Sequence, residues 1–372
     1  MSWNWQQKNW PEFVYDEESF KEAELKFIEN AGVLSGSIQH LDNSEEKALR
    51  VELLSNEALK TSEIEGDMLD KDSIQSSIRR QLGMQTDQRK VEPAEQGIAE
   101  MTIDLYQSYD TPLDKHRLCQ WHSMITQGRT DLQDIGRYRT HDDPMQIVSG
   151  PLARPTIHFE APPSKVVPFE MTRFIDWFNR SNKGQEKELS PIVRAAVAHL
   201  YFECIHPFED GNGRVGRAIS EKSLSQSLGR PTLISLSHTI QNDKNSYYEA
   251  LQKNNKELDI NDWITQFSNL ILKAQEYTLA TISFIIEKGK FYKRFEHQLN
   301  QRQAKVVERI FREGITGFKG GLSSKNYQSI SGAPSATATR DLIGLVAMGA
   351  FTKTGALKGT RYYLNIRSIP LG

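Results

Sequence analysis

The feature that most constrains the fold of this 372-residue chain is a pair of helical stretches joined by a short, glycine-containing turn. The first stretch, residues 191–205, starts with a proline and is apolar on nearly every face, as expected for a helix at the centre of a domain. The second runs from about residue 212 to 228, and Gly229 is expected to end it. The pattern predicts a mainly α-helical domain built around residues 191–229.

The turn between these stretches concentrates groups that suit phosphate chemistry. His206 can accept a proton near neutral pH, and Asp210 offers the oxygen ligands that Mg²⁺ prefers. Gly211 and Gly213 let the backbone approach an anion closely, because neither carries a Cβ. The second helix begins here, so its free N–H groups point at whatever binds.

Two arginines follow the turn. Arg214 and Arg217 lie three residues apart on the second helix and share one face, so both can reach the same polyphosphate. Transfer of a phosphoryl or nucleotidyl group depends mainly on positioning and charge stabilisation. The segment thus combines a base, a metal-binding carboxylate, a backbone that can bind phosphate and two arginines. This combination predicts an enzyme that transfers part of a nucleotide.

The segment His206–Arg217, HPFEDGNGRVGR, fits the pattern H-x-F-x-D/E-G-N-G-R-x-x-R and resembles the signature of the Fic family at every defined position. Gly136–Arg139 upstream is similar to the entry segment of that family. The resemblance covers roughly residues 105–290. It implies a Fic-type helical core and a protein adenylyltransferase, which moves AMP from ATP onto a Ser, Thr or Tyr hydroxyl of a target protein.

The resemblance also implies residue roles. His206 would be the base, Asp210 would bind Mg²⁺, and Phe208 would anchor the turn in the core. The backbone of the turn, together with Asn212, would hold the α-phosphate, and the two arginines would hold the outer phosphates. The expected nucleotide site comprises Asp210, Gly211, Asn212, Gly213, Arg214, Val215, Gly216 and Arg217.

Two further sets are carried over from the family. A short β-like run resembles part of the family's flap, a short β-hairpin that aligns the target by β-augmentation; the residues of this run are Ile157, His158, Phe159 and Glu160. Tyr247, Tyr248 and Asn255 fall where relatives contact adenine and ribose. Tyrosine pairs are also ordinary core material, so a structural role is the alternative for Tyr247 and Tyr248.

Thr61–Gly66, TSEIEG, matches the family's inhibitory motif, S/T-x-x-x-E-G/N. In relatives the glutamate pairs with the second signature arginine, which implies a contact between Glu65 and Arg217. A carboxylate there would occupy the clamp meant for the γ-phosphate, so ATP would bind in an unproductive pose. In some relatives the same glutamate activates water to remove AMP. The alternative is a helix end that carries solvated glutamates.

The chain is predicted to form three parts: an aromatic-rich helical region (1–104), the catalytic core (105–290) and a winged-helix-like domain (291–372). An aromatic cluster near the start is expected to fold and dock, because such bulk is costly to leave in water. Its members are Trp3, Trp5, Trp10, Phe13, Tyr15 and Phe20. Other helical patterns cover 44–60, capped by Asn43 or Ser44, then 93–109, 114–127, 166–180 and 261–290.

The C-terminal part reads helix, helix, turn, helix and hairpin, the order of a winged helix. The expected helices are 301–312, 325–330 and 335–348, and the hairpin joins 351–354 to 360–364. From Asn300 onward the chain carries eleven Lys/Arg against three Asp/Glu. Residues 300–372 therefore suggest an anionic partner such as DNA, with contacts from Arg340, Lys353, Lys358 and Arg361. A protein-docking module is the alternative.

Composition narrows the location and partners. No stretch approaches the roughly 18 apolar residues of a membrane helix, and two cysteines exclude a disulfide framework. A cytoplasmic protein without membrane contact is expected. The expected partners are a target protein and ATP with Mg²⁺, self-modification is expected, and a homodimer is an open alternative.

Three rival functions remain. His199, Glu203 and His206 lie at i, i+4 and i+7, a spacing that could ligate zinc, although His199 fits a core position better. A second rival is a DNA-binding regulator whose core only senses a nucleotide. A third is a Fic-type enzyme that uses another donor, because nothing in the turn recognises the base.

Overall fold

The structure, a computed structural model, describes residues 2–39, 41–87, 89–150, 155–315, 317–318 and 320–367, without the side chain of Lys358. These residues are mainly α-helical and include two small antiparallel hairpins, as the sequence predicts. The chain divides into two compact units. Unit 1 comprises Met1–Gly36 and Arg50–Thr278, and unit 2 comprises Ser37–Leu49 and Leu279–Gly372. The three-part division by sequence stays a prediction.

Within the described residues the helices follow in this order. They are α1 (Lys21–Gln39), α2 (Asn43–Glu65), α3 (Lys71–Gln81), α4 (Pro93–Gln107), α5 (Lys115–Ile125), α6 (Val167–Arg180), α7 (Pro191–Ile205), α8 (Asn212–Leu228), α9 (Leu236–Asn242), α10 (Lys244–Asn254), α11 (Asn261–Phe295), α12 (Gln301–Arg312), α13 (Ser324–Ser331) and α14 (Ser335–Ala347).

The predicted pair of helices is confirmed as α7 and α8, which pack against each other at the centre of unit 1. Nearly every residue of α7 is buried, so its uniform apolarity reflects a helix covered on all sides. Gly229 ends α8 with φ of 67°, a left-handed conformation that glycine adopts without strain. This pair fixes the turn at His206 inside the core.

The cap of α2 differs from the prediction. Its first N–H groups, those of Ser44 and Glu45, donate to the Asp42 carboxylate at 2.8 and 2.9 Å. The predicted caps, Asn43 and Ser44, are therefore wrong, because the helix begins one residue earlier and a charged acceptor precedes it. The helix also continues five residues beyond the predicted end, to Glu65.

The aromatic N-terminus is docked, as predicted. Trp10 is buried, and its ring meets Tyr201 of α7 edge to face at 5.2 Å. Its indole N–H donates to Glu170 of α6 at 2.9 Å. The segment is thus part of the core of unit 1.

One hairpin belongs to unit 1. Its strands are β1 (Gln146–Ser149) and β2 (Thr156–Glu160), paired antiparallel with an irregularity between Ile147 and Val148. The hairpin is predicted, but the sequence pattern identified only the residues of β2 and not those of β1. The loop residues 151–154 lie outside the described part of the chain. We refer to β1 and β2 together as the flap hairpin.

Unit 2 has its own core, formed around α12, α13 and α14 with the strands β3 (Phe351–Thr354) and β4 (Arg361–Leu364). Helix, helix, helix and hairpin is the predicted element order, and the winged-helix assignment stays a prediction. Arg340 and Lys353 are exposed, whereas Arg361 is half-buried. DNA contact by these residues is likewise still a prediction.

Within the described part of the chain, no helix is both long and apolar enough to cross a bilayer.

Candidate active site

His206 caps the C-terminal end of α7 in a left-handed conformation, with φ of 49° and ψ of 60°. Arg139 holds this turn, because its guanidinium donates to the carbonyls of His206 (2.8 Å) and Pro162, and its own N–H donates to the carbonyl of Pro207. Burial lowers the pKa of His206 to about 4, and the charge of Arg139 acts in the same direction. The imidazole is therefore neutral at pH 7 and can accept a proton.

The turn after His206 is anchored from within. Phe208 is fully buried and stacks on His122 with ring centroids 4.2 Å apart. The side-chain amide of Asn212 bonds to both backbone groups of Phe208, at 2.9 and 2.8 Å. Through these two bonds Asn212 holds the backbone of the turn in place.

Helix α8 starts directly above this turn. Gly211, with φ of 81°, precedes its first residue and provides no side-chain cap, so the first N–H groups are free for a ligand. A Cβ at Gly213 would come within 2.4 Å of a Glu65 oxygen and 3.0 Å of the Arg217 guanidinium. A side chain at Gly213 would therefore displace the Glu65 carboxylate or the Arg217 guanidinium from their present positions. Val215 and Gly216 complete this first part of α8, both in the interior.

Asp210 lies at the rim, where 38% of its side chain is exposed. Its carboxylate pairs with Arg129 at 2.5 Å and lies 3.8 Å from Arg214. Burial acts to raise the pKa of Asp210, but these arginines and the N–H of Gly211 outweigh it and lower the pKa. An ionised, partly exposed carboxylate fits Mg²⁺, which takes one or two carboxylates and completes its shell with phosphates and water.

The described residues hold no group of three or more His, Cys, Asp or Glu side chains placed to bind a metal ion. Magnesium at Asp210 would therefore require phosphate oxygens as further ligands.

Both signature arginines are occupied by one segment. Arg217 is 2% exposed and pairs with Glu65, the last residue of α2, at 2.7 Å. The same guanidinium donates to the hydroxyl and the carbonyl of Thr61, at 2.8 and 2.9 Å. Arg214 pairs with Asp67 at 2.8 Å. We call residues 61–67 the inhibitory segment.

The predicted ion pair between Glu65 and Arg217 is thus present. Burial disfavours the charge of Arg217, but Glu65 outweighs this and raises the pKa of the guanidinium. Gly66, with φ of 95°, reverses the chain so that the next carboxylate reaches the other arginine. Asp67 was not predicted, because the motif ends one residue before it.

Glu203 lies on the other side of His206, with a carboxylate oxygen 3.8 Å from its Nδ1. Burial raises the pKa of Glu203 to about 8, with Glu65 adding to the effect and Arg217 opposing it. Burial also keeps His206 neutral. The contact therefore joins two neutral groups at pH 7, so it is not an ion pair.

The flap residues lie on β2, where only Phe159 is buried. Ile157 is exposed, and His158 bonds through Nε2 to the Ser149 hydroxyl of β1 at 2.5 Å. Glu160 accepts from the amide of Gln146 at 2.7 Å. The hairpin exposes the apolar side chains of Ile147, Val148 and Ile157, and among the described residues β2 pairs with no strand other than β1, which suits pairing with an extended peptide.

The predicted base-binding residues divide into two environments. Tyr247 is buried, and its hydroxyl bonds to His199 at 2.6 Å, which is a core position. Tyr248 is exposed, and Lys244 lies over its ring at 5.6 Å. Asn255 reaches the flap, donating to the His158 carbonyl at 3.4 Å.

His199 is a satisfied core histidine. It is fully buried; Nε2 contacts the Tyr247 hydroxyl, and Nδ1 contacts the Ser220 hydroxyl at 3.1 Å. Both ring nitrogens are engaged, which leaves no lone pair for the zinc site considered from sequence.

Residues that were not predicted also contact this set, among them Trp5, Asp67, Arg129 and Lys244. Lys244 donates to the carbonyl of Ile64 at the end of α2, and Trp5 contacts the flap. Charge type alone could have suggested Asp67 and Arg129 as partners of the signature. Trp5 and Lys244 carried no signal, because their partners are backbone carbonyls.

The part of the chain that contains this turn matches a known family. Residues 112–224 match the Fic/DOC family, and residues 3–84 match a domain of unknown function, DUF4172. The chain is similar to a probable protein adenylyltransferase of Aquifex aeolicus, with 39% identity over 61 residues, which are 16% of this chain and 18% of that protein. It is also similar to the protein adenylyltransferase Fic of Culex quinquefasciatus, with 35% identity over 86 residues, 23% of this chain and 16% of that protein.

These matches span less than a fifth of either relative's length. Among solved structures, a Fic family protein from Desulfovibrio desulfuricans matches with a TM-score of 0.54 and 20% identity, covering 95% of this chain and 98% of that one. A Fic-domain signalling protein from Bacteroides thetaiotaomicron matches with a TM-score of 0.52 and 19% identity, covering 70% of this chain and 97% of that one. At such identities the likeness shows the fold.

Proposed function

The chain is a Fic family protein, and from that premise we propose that it is a protein adenylyltransferase, which transfers AMP from ATP to a Ser, Thr or Tyr hydroxyl of a target protein. The observation that carries the proposal is the neutral, largely buried His206 beside the free N–H groups of α8 and two arginines. A base and a polyphosphate site within one turn are what this transfer needs.

In the proposed reaction His206 accepts the proton of the target hydroxyl while the hydroxyl oxygen attacks the α-phosphorus. The bond between the α-phosphorus and its bridging oxygen breaks, and pyrophosphate leaves. The free N–H groups at the start of α8 bind the α-phosphate oxygens, and Arg214 and Arg217 bind the outer phosphates. Magnesium held by Asp210 would neutralise part of the phosphate charge.

The same proposal includes autoinhibition. Glu65 and Asp67 neutralise the two arginines that the outer phosphates of ATP need. The Arg217 side chain is only 2% exposed, so loss of Glu65 leaves a desolvated charge unless the γ-phosphate replaces the carboxylate. ATP would therefore bind weakly, or in a pose that does not present its α-phosphate for attack.

The test is mass spectrometry of Glu65→Gly incubated with ATP, Mg²⁺ and cell lysate. We expect AMP on the protein itself and on one or a few lysate proteins, at hydroxyl side chains. A different transferred group would identify another donor, and absence of any adduct despite measured ATP binding would contradict the proposed activity. His206→Ala in the same background is the control, since it removes the base and leaves the phosphate cradle.

A further inference from the structure

The first residues of the chain, at the start of the region that matches a domain of unknown function, contact the flap hairpin directly. The indole N–H of Trp5 donates to the main-chain carbonyl of Glu160 at 2.7 Å. The ring of Trp3 meets Phe159, the one buried flap residue, edge to face at 5.4 Å. Both contacts fall on β2, the strand that carries the exposed Ile157.

Asn4, between these two tryptophans, is fully buried and fixes the segment to the catalytic core. Its N–H donates to the carbonyl of Asn255 at 2.9 Å, and its side-chain amide lies 3.1 Å from the sulfur of Cys204, two residues before His206. Gln7 donates to the carbonyl of Lys256 at 2.7 Å. The segment therefore connects the flap to the end of α7 and to the loop after α10.

The flap hairpin needs external support. A two-stranded hairpin is marginally stable alone, and Ile157 and Val148 are 46% and 48% exposed, so little apolar surface holds it down. The other bonds that fix β2 to the core are weaker or local: Asn255 to the His158 carbonyl at 3.4 Å, and the Ala161 N–H to the Met145 carbonyl at the base of the hairpin. Trp5 provides the shortest of the bonds between β2 and residues outside the hairpin.

We infer that Trp5 is a positioning residue for the flap. Asn4 orients Trp5, and Trp5 in turn fixes the position of β2 relative to His206. This inference rests on the proposed function, in which a target segment pairs with the flap and presents its hydroxyl to His206. Misplacing the reacting atoms by a fraction of an ångström slows transfer, because positioning supplies much of the catalysis. Trp5 does not contact the phosphate site, so its loss should affect the target and spare ATP.

The test is hydrogen–deuterium exchange of the whole protein, comparing Trp5→Phe with wild type. Phenylalanine keeps an aromatic ring and removes the N–H, and Trp5 is only half-buried, so the fold should survive. We expect exchange in peptides that cover β1 and β2 to rise roughly fivefold, the equilibrium factor for losing one hydrogen bond. Peptides of α7 and α8 should not change.

Trp10→Phe is the matched control, since it also removes an indole N–H bond from this segment, but one made to α6. Gln7→Ala is the second variant; it frees the segment without touching the core and should raise flap exchange in the same direction. Unchanged flap exchange in Trp5→Phe, or an equal rise in Trp10→Phe, would overturn the inference.

A second readout separates positioning from general stability. In the Glu65→Gly background, Trp5→Phe should raise KM for the acceptor several-fold and leave the Kd for ATP unchanged. A parallel loss of ATP binding would contradict a positioning role. If no adduct forms in either background, the proposed function fails while the exchange result still decides the structural inference.

Discussion

Each signature arginine is paired with a different carboxylate from the same short segment. In the pair of Arg217 with Glu65 the carboxylate side chain is 26% exposed, whereas Asp67, paired with Arg214, is 43% exposed. The less exposed pair resists separation more, because water compensates less of the charge that is left. Glu65 should therefore dominate inhibition, and Asp67 should contribute less.

Asp67→Asn tests the smaller contribution. The amide keeps the shape and removes the charge, so we expect ATP affinity to rise about two- to fivefold, the range of an exposed pair. Isothermal titration with ATP is the measurement. Glu63→Gln, which alters a carboxylate of the same turn that pairs with Lys60, is the control. An unchanged Kd would show that Asp67 does not compete with the phosphates.

Glu203 should make stability depend on pH. Its pKa is about 8 in the folded chain against an ordinary 4.5, so the folded state holds an extra proton between those values. The stabilisation is complete below about pH 4.5 and is lost as pH rises through 8, a change on the order of a few kcal/mol. Glu203→Gln should flatten this dependence.

The measurement is urea unfolding of both proteins at pH 5, 7 and 9. The wild type should lose more unfolding free energy than Glu203→Gln between pH 5 and 9. Other titrating groups, such as Glu57 with a pKa raised to about 7, are common to both proteins and largely cancel. If the unfolding free energies of the two proteins changed equally with pH, Glu203 would be charged in the folded protein over this pH range, and its pKa would not be raised.

At the residue scale, the sequence predicted contacts only where side chains pair by charge or by motif. The pair between Glu65 and Arg217 followed from two motifs 150 residues apart. The role of Asp67 depends on the left-handed turn at Gly66, and that of Trp5 depends on a backbone carbonyl. Neither depends on a local pattern, so neither could be predicted from sequence.

Among the elements, the end of α2 controls access to the arginines in the proposed autoinhibition. Two cationic side chains bind backbone carbonyls near the end of α2. Arg217 donates to the carbonyl of Thr61 at 2.9 Å, and Lys244 of α10 donates to the carbonyl of Ile64. Carbonyls at a helix C-terminus lack partners within the helix and carry partial negative charge, which cations stabilise. The inhibitory segment is thus held by the helix end as well as by its carboxylates.

Lys244→Gln should loosen this end. We expect faster hydrogen exchange over residues 61–67 and a partial increase in self-labelling, smaller than that of Glu65→Gly, because both ion pairs remain. Lys253→Gln on the same helix, which removes an exposed pair with Asp262, is the control. Equal exchange in the two variants would argue against a restraining role for Lys244.

Helix ends were predicted closely where a proline or a glycine marks them. Elements without a clear sequence pattern were not predicted. Pro191 and Gly229 bracket α7 and α8 closely. Helix α1 carries Gly32 and Gly36 in its interior, which lowers helix propensity, and tertiary packing of Phe27 and Leu34 offsets this cost. Strand β1 has no apolar alternation and exists because it pairs with β2.

Residues 3–84, the region that matches a domain of unknown function, contact the Fic core at two separate places. Its first residues reach the flap, and its inhibitory segment reaches the arginines. The sequence predicted the Fic core because the signature is long. It could not predict the dual contact, which depends on the packing of unit 1.

The most direct test of the account is intact-mass measurement of self-modification by wild type, Glu65→Gly and Glu65→Gly/His206→Ala with ATP and Mg²⁺. We expect little adduct on the wild type, one or more AMP groups on Glu65→Gly, and none on the double variant, which should still bind ATP. Equal labelling of wild type and Glu65→Gly, with equal ATP affinity, would contradict the claim that Glu65 closes the site.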